Sequence, residues 1–192
     1  MNSRRRRLNV IVLSTTLAVI FGTGMTSTNS VWAATIHCPN SAVVPPFFVN
    51  CLGTDNNDNM IGTTESDSME ARGGNDIMSG FGSSDRMFGG DGDDTVSGGS
   101  ANDLANGNAR SDNVNGDSGD DTVVGDFGPD TLKGNSGNDK IYQWVNDGVN
   151  VPTSPDGSKD TVDCGSGNDE AFINTSVDHD TAASNCETVH EG

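Results

Sequence analysis

The chain predicts an all-β fold, a flattened parallel coil of short strands stacked one on the next. Three observations carry that prediction. From Gly53 to Tyr142 the sequence divides into ten nine-residue units without an insertion. In every unit the sixth residue is aspartate and the eighth is apolar. The first is glycine in nine units, Ala71 being the exception. Composition bias does not hold three columns in phase over ten units; stacked turns of a solenoid do.

Each part of the unit has a physical reading. In "GGDGDDTVS" (89–97) the glycines suit a turn, because only glycine freely takes the positive φ of a tight loop. The expectation is a six-residue turn followed by a three-residue strand whose middle side chain points inward. That column is Met60, Met69, Met78, Met87, Val96, Ala105, Val114, Val123, Leu132 and Ile141. An odd period sends successive turns to opposite sides of the coil, so each unit stacks on the unit after next, 18 residues on. The aspartates then form two rows. One is Asp58, Asp76, Asp94, Asp112 and Asp130; the other is Asp67, Asp85, Asp103, Asp121 and Asp139.

Neighbours within a row stand one strand spacing apart, about 4.8 Å. Like charges that close repel unless a cation lies between them. Calcium takes 6–8 hard oxygens from carboxylates and backbone carbonyls, and glycine-rich turns expose carbonyls. Zinc is a poor candidate, since the ten units contain neither His nor Cys. Four intervals per row set a ceiling of about eight calcium ions.

These units resemble the repeats-in-toxin (RTX) family, whose haemolysin-type nonapeptide reads G-G-x-G-x-D-x-U-x with U a large apolar residue. The resemblance covers residues 53–142 without a gap and, more loosely, "KDTVDCGSGNDEAF" (159–172). It implies a right-handed β-solenoid, the parallel β-roll, with calcium held at the sixth-position aspartates. Asp160 and Asp169 continue the spacing beyond a loop predicted over 143–158, where Pro152 and Pro155 act as breakers. Asp178 keeps it once more, but Asp180 falls in the apolar slot, so the coil is expected to end there.

The fourth position ranks the sites. It is glycine at Gly74, Gly92, Gly119, Gly128 and Gly137, and Asn56, Glu65, Ser83, Ala101 or Arg110 elsewhere. A non-glycine forced to positive φ costs on the order of 1–3 kcal/mol. Arg110 also brings a positive charge. The intervals Asp76–Asp94 and Asp121–Asp139 have glycine on both sides and are expected to bind best.

The flanks speak to location. Arg4–Arg7, the apolar run "LNVIVLSTTLAVIFG" (8–22) and small residues up to Ala33 follow the order of a secretory signal over residues 1–33. The run is shorter than the ~20 apolar residues that span a bilayer. Cleavage after Ala33 removes four arginines and no acidic residue, taking the formal net charge from −18 to −22. A chain of that sign binds neither nucleic acid nor anionic membranes by charge. Cysteines occur only outside the units: Cys38 and Cys51 in an N-terminal cap (34–52), Cys164 and Cys186 in a C-terminal cap with degenerate repeats (159–192). Four cysteines allow three pairings. Proximity favours Cys38–Cys51 and Cys164–Cys186, and an exported setting favours disulfides over free thiols. "AVVPPFFV" (42–49) gives the first cap its apolar bulk. His37, His179 and His190 read as surface residues.

The reading that results is a secreted or cell-surface calcium-binding β-roll with calcium as its one cofactor. No HExxH or G-x-S-x-G is present, and caps and units use nearly all of the mature chain, so it is read as no enzyme. The alternative is an adhesion module that uses the calcium-loaded solenoid as a scaffold for a protein or cell-surface partner. No regular row of aromatic residues is expected on its outside.

Overall fold

One apolar residue per nine-residue unit, alternating between opposite sides of the coil, builds two facing sheets rather than one. The structure, a computed structural model, describes residues 34–38, 50–143, 156–175 and 178–191. They form sixteen strands. In chain order these are β1 (Ala34–His37), β2 (Asn50–Leu52), β3 (Asp58–Ile61), β4 (Ser68–Gly73), β5 (Ile77–Gly82), β6 (Arg86–Asp91), β7 (Thr95–Ser100) and β8 (Leu104–Ala109). Then follow β9 (Asn113–Ser118), β10 (Thr122–Phe127), β11 (Thr131–Ser136), β12 (Lys140–Tyr142), β13 (Thr161–Ser166), β14 (Glu170–Ile173), β15 (Thr181–Ala182) and β16 (Thr188–Glu191). Odd-numbered strands stack in one eight-stranded parallel sheet and even-numbered strands in the other. No helix occurs among the described residues, and none there is long and apolar enough to cross a membrane.

The register is the one the period demands. Met60 lies beside Met78, Val96 beside Val114, and Met87 beside Ala105, each pair 18 residues apart. All ten eighth-position side chains are buried, joined by Val162 and Ala171 from the resumed repeat. Together they form a single file of apolar side chains between the sheets.

The anatomy of the unit differs from the expectation. Strands β4 to β11, and β13, run six residues, from the seventh position of one unit to the third of the next. Only positions four to six remain as the turn. The cause lies at the second position, where Arg72, Phe81, Asn108, Asp117, Asp126 and Asn135 take φ of 74–84° and Gly90 and Gly99 φ of 110–114°. A single left-handed residue kinks the strand without ending its parallel pairing, much as a bulge does. The first-position glycine therefore sits inside a strand, buried, rather than in a turn.

The C-terminal end also differs. Between β11 and β13 the register offset grows from 18 to 30 residues, so the chain leaves the coil and returns in phase. Most of the loop predicted over 143–158 lies outside the described residues. Its flanks belong to the coil: Gln143 donates its N–H to the Phe172 carbonyl, and Asp156 accepts the Gly128 N–H at 2.7 Å. Between β13 and β15 the offset is 20, a two-residue excursion that places Ala182 rather than Asp180 in the apolar column. The coil thus continues past Asp180 to β16.

Disulfides join Cys38 to Cys51 and Cys164 to Cys186, the pairing that proximity favours. The first ties the chain just after β1 to β2, and so links the first strands of the two sheets. Residues 1–33 and the apolar run at 42–49 lie outside the described residues.

Candidate metal centre

The sixth-position aspartates stand where each turn enters a strand, and the stacking makes them a ladder. In the first row the Asp58 N–H donates to Asp76 Oδ1 at 2.6 Å, Asp76 to Asp94 at 2.7 Å, and Asp94 to Asp112 at 2.8 Å. The pattern runs on through Asp112, Asp130 and Asp160, where the Asp160 N–H meets Asp180 Oδ1 at 2.8 Å. The second row is built the same way from Asp67 through Asp85, Asp103, Asp121 and Asp139 to Asp169. It ends where the Asp169 N–H meets Glu187 Oε2 at 2.9 Å. The structure thus brings all twelve aspartates into two rows, and every one is buried. Asp180 and Glu187 complete rows that the strict nine-residue spacing did not extend to them.

Each carboxylate has a second oxygen. From Asp76 through Asp139, and at Asp160 and Asp169, Oδ2 is buried with no hydrogen-bond partner. Asp58 and Asp67 are different: their Oδ2 atoms accept the N–H of Thr54 and Thr63, each at 2.6 Å. The free oxygen explains the first-position glycine. A Cβ on Gly98 would stand 2.6 Å from Asp103 Oδ2 and 2.5 Å from the Gly116 carbonyl oxygen. One on Gly116 would stand 2.5 Å from Asp121 Oδ2. Glycine keeps open a space bordered by a bare carboxylate oxygen and, at Gly98, a backbone carbonyl one rung on.

The fourth position behaves as expected in part. Ser83, Ala101 and Arg110 take φ of 65°, 81° and 91°, the left-handed values glycine would adopt without strain. Asn56 and Glu65 do not share them. The Arg110 charge is directed away from the aspartate row: its Nε donates to Asp91 Oδ1 at 2.9 Å on the exposed surface.

A second ladder was not anticipated. At the fifth position the side chain accepts from the rung after it, opposite in sense to the buried ladder. The Asn75 N–H meets Asn57 Oδ1 at 2.9 Å, Asp120 meets Asn102 at 3.0 Å, and Asn138 meets Asp120 at 2.8 Å. The recurrence of Asn, Asp and Ser at this position was the available signal. Pro129, which has no N–H, stands where the next donor to Ser111 would be.

Burial dominates the electrostatics. Loss of water pushes Asp130 and Asp160 up to about 8, Asp76, Asp85, Asp112 and Asp121 to about 7, and Asp94, Asp103 and Asp139 to about 6. In each case the backbone N–H from the previous rung opposes the rise, and nearby carboxylates add to it. Among the described residues no lysine or arginine pairs with a row aspartate, and no three His, Cys, Asp or Glu side chains converge on one point. A cation here would be held by carboxylate oxygens completed by carbonyls, a hard-oxygen donor set that suits calcium and not zinc.

The family model of the RTX calcium-binding nonapeptide repeat matches residues 52–80, 79–114 and 115–142. Residues 52–142 belong to that family. No curated protein and no solved structure matches the chain. The RTX array therefore comprises all ten units, while the resumed units with Asp160 and Asp169 lie beyond the matched segment. Their carboxylates nonetheless occupy the same rows with the same unpartnered oxygen.

His37 and His179 are exposed, and His190 lies on the outer face of the even-numbered sheet. There the structure corrects one expectation. Tyr142, Phe172 and His190 stack in a short aromatic row with ring centroids 4.5 and 4.3 Å apart. An offset of 30 residues between Tyr142 and Phe172 hid that row from a search for a nine-residue period.

Proposed function

We propose that this protein is an exported calcium-binding β-roll, without a catalytic domain, in which calcium drives folding. The observation that carries the reading is the run of buried aspartates, each with one oxygen bonded along its row and the other bare. A buried ionised carboxylate without a partner is costly, and calcium supplies the partner. The ligands are the row carboxylates Asp76, Asp85, Asp94, Asp103, Asp112, Asp121, Asp130, Asp139, Asp160 and Asp169 with turn carbonyls; Asp58 and Asp67 open the rows. The fold offers little else to stabilise it, since its core is one file of side chains between two sheets. Calcium binding energy then becomes folding energy. Affinities of ~10⁻⁴–10⁻³ M suit an extracellular module, so the chain would remain unfolded in the calcium-poor cytosol and order itself outside.

Far-UV circular dichroism in EDTA and then in millimolar calcium tests this, together with calorimetric titration. The expected result is a disordered spectrum that becomes β on addition of several calcium ions per chain, with magnesium far weaker. A β spectrum in EDTA that calcium leaves unchanged would refute it. The adhesion reading draws support from the stacked Tyr142, Phe172 and His190. Replacing His190 by Ala should then reduce retention on cells while calcium stoichiometry stays the same.

A further inference from the structure

Nine residues after Asp169 the spacing places Asp178, yet Asp180 takes the place in the row. The two-residue excursion leaves Asp178 beside the row and still inside the fold. It is 5% exposed, and neither carboxylate oxygen has a hydrogen-bond partner. Two further buried carboxylates surround this end. Asp180 accepts the N–H of Asp160 at 2.8 Å and that of Asn174 at 3.0 Å, and Asp160 keeps its own Oδ2 bare. Between the two aspartates of the excursion, His179 adopts φ of 63° and is exposed. Neither ion pair found among the described residues involves these carboxylates.

A carboxylate that is nine-tenths buried and wholly unpartnered is a state that water or a cation normally relieves. We propose that the C-terminal end of the coil holds a separate cation site, for calcium, organised by Asp178 together with Asp180. It goes beyond the array reading, because it lies outside the matched repeats and uses a carboxylate that belongs to neither row. The donors are oxygens alone, which selects a hard ion. Because three acidic side chains do not already converge, carbonyls or water complete the shell, in the flexible many-oxygen geometry that calcium accepts. Asp178 lies within the loop closed by Cys164–Cys186, so the ion and the disulfide would secure the same end of the coil.

Native mass spectrometry of the full chain in calcium, for wild type, Asp178→Asn, Asp94→Asn and the double variant, tests the site. The Asp178→Asn chain should carry one calcium fewer than wild type, and the double variant one fewer than Asp94→Asn. Equal counts for wild type and Asp178→Asn overturn the terminal site while leaving the array reading standing. A wild-type chain with a single ion that Asp178→Asn removes supports the terminal site and overturns the array. A chain that binds no calcium overturns both. Thermal melts provide a second readout. Across a calcium titration, the melting temperature of Asp178→Asn should fall further below wild type as calcium rises. A deficit that does not change with calcium marks Asp178 as merely structural and overturns the proposal.

Discussion

The first two units and the eight that follow share one motif and adopt two anatomies. In Gly53–Ile61 and Gly62–Glu70 the first three residues lie outside any strand, and β3 is four residues long. Thr54 and Thr63 keep negative φ and donate their N–H groups to the aspartate of their own unit at 2.6 Å. The Thr63 hydroxyl adds a second donor to Asp67 Oδ2 at 3.0 Å. From the third unit the second residue turns left-handed, the strand lengthens to six, and the aspartate Oδ2 loses its partner. One column therefore decides whether the protein or an ion satisfies the carboxylate. The opening turns are self-capped; the remainder are built with a bare oxygen.

The largest effect that separates the two kinds of turn is pH dependence without metal. Loss of water holds the later row aspartates, from Asp76 to Asp160, at about 6 to 8 in the folded chain, well above the ordinary carboxylate value of 3.8. Between about pH 4 and 8 the folded state binds more protons than the unfolded one, so its stability falls as pH rises through that window. In EDTA the chain should hold more β structure at pH 5 than at pH 8. Calcium reverses the sign, because it needs the ionised carboxylate: the calcium concentration for half-folding should rise as pH falls. Circular dichroism over pH 4–9 in both media checks this. A metal-free chain less ordered at pH 5 than at pH 8 would show that the bare oxygens are not what opposes folding.

Backbone stacking gives the next largest contrast. Gly137 has φ of 140°, and a Cβ there would fall onto the Gly119 carbonyl oxygen. Gly137→Ala should cost on the order of 3 kcal/mol or more in saturating calcium. At the same position of the first unit, Asn56 already carries a side chain at ordinary φ. Asn56→Ala should stay within about 0.5 kcal/mol. Chemical denaturation of both variants measures the gap, and a near-neutral Gly137→Ala would remove the case for tight turn stacking in the later units.

How far the sequence disclosed all this follows from what each column does. The apolar and aspartate columns were legible because burial and charge tolerate few substitutes: Met60 to Ile141 and Asp58 to Asp139 all lie where the period put them. The turn and strand boundaries were not. Glycine at position one was read as turn conformation, whereas it is there for space beside Asp Oδ2, and residues as varied as Arg72, Phe81 and Asp117 take the left-handed place at position two. The outward ladder from Asn57 to Asn75 was equally hidden, since Asn, Asp and Ser also fill ordinary loops. Asp180 was missed because a two-residue excursion preserves stacking while breaking spacing.

Calcium affinity should follow the bare oxygens. Asp94→Ala removes a row carboxylate with a free Oδ2; Asp58→Ala removes one already bonded to Thr54. The first should weaken calcium binding by about tenfold or more, the worth of roughly 1.4 kcal/mol, and the second by much less. Asp112→Ala should fall between them, because its turn contains the strained Arg110 and its site starts weaker. Calorimetric titration of the three variants orders them. Equal losses for Asp94 and Asp112 would show that the fourth position does not grade the sites, and a large loss for Asp58 would show that threonine capping does not replace an ion.

The smallest effect concerns strain at that fourth position. Arg110 holds φ of 91°, a conformation that costs a residue with a Cβ roughly 1–2 kcal/mol and glycine almost nothing. Against the gain stands the exposed contact to Asp91, which water and salt screen. Glycine also adds freedom to the unfolded chain, which subtracts part of the benefit. The net expectation for Arg110→Gly is a stabilisation of about 0.5 kcal/mol in saturating calcium. Ala101→Gly relieves φ of 81° and loses no ion pair, so its gain should be slightly larger. Asp91→Asn isolates the remaining piece by removing the charge contact and leaving the backbone alone. If Arg110→Gly destabilises while Asp91→Asn is neutral, the left-handed turn is no burden to this chain, and the grading of the later units must come from something other than backbone strain.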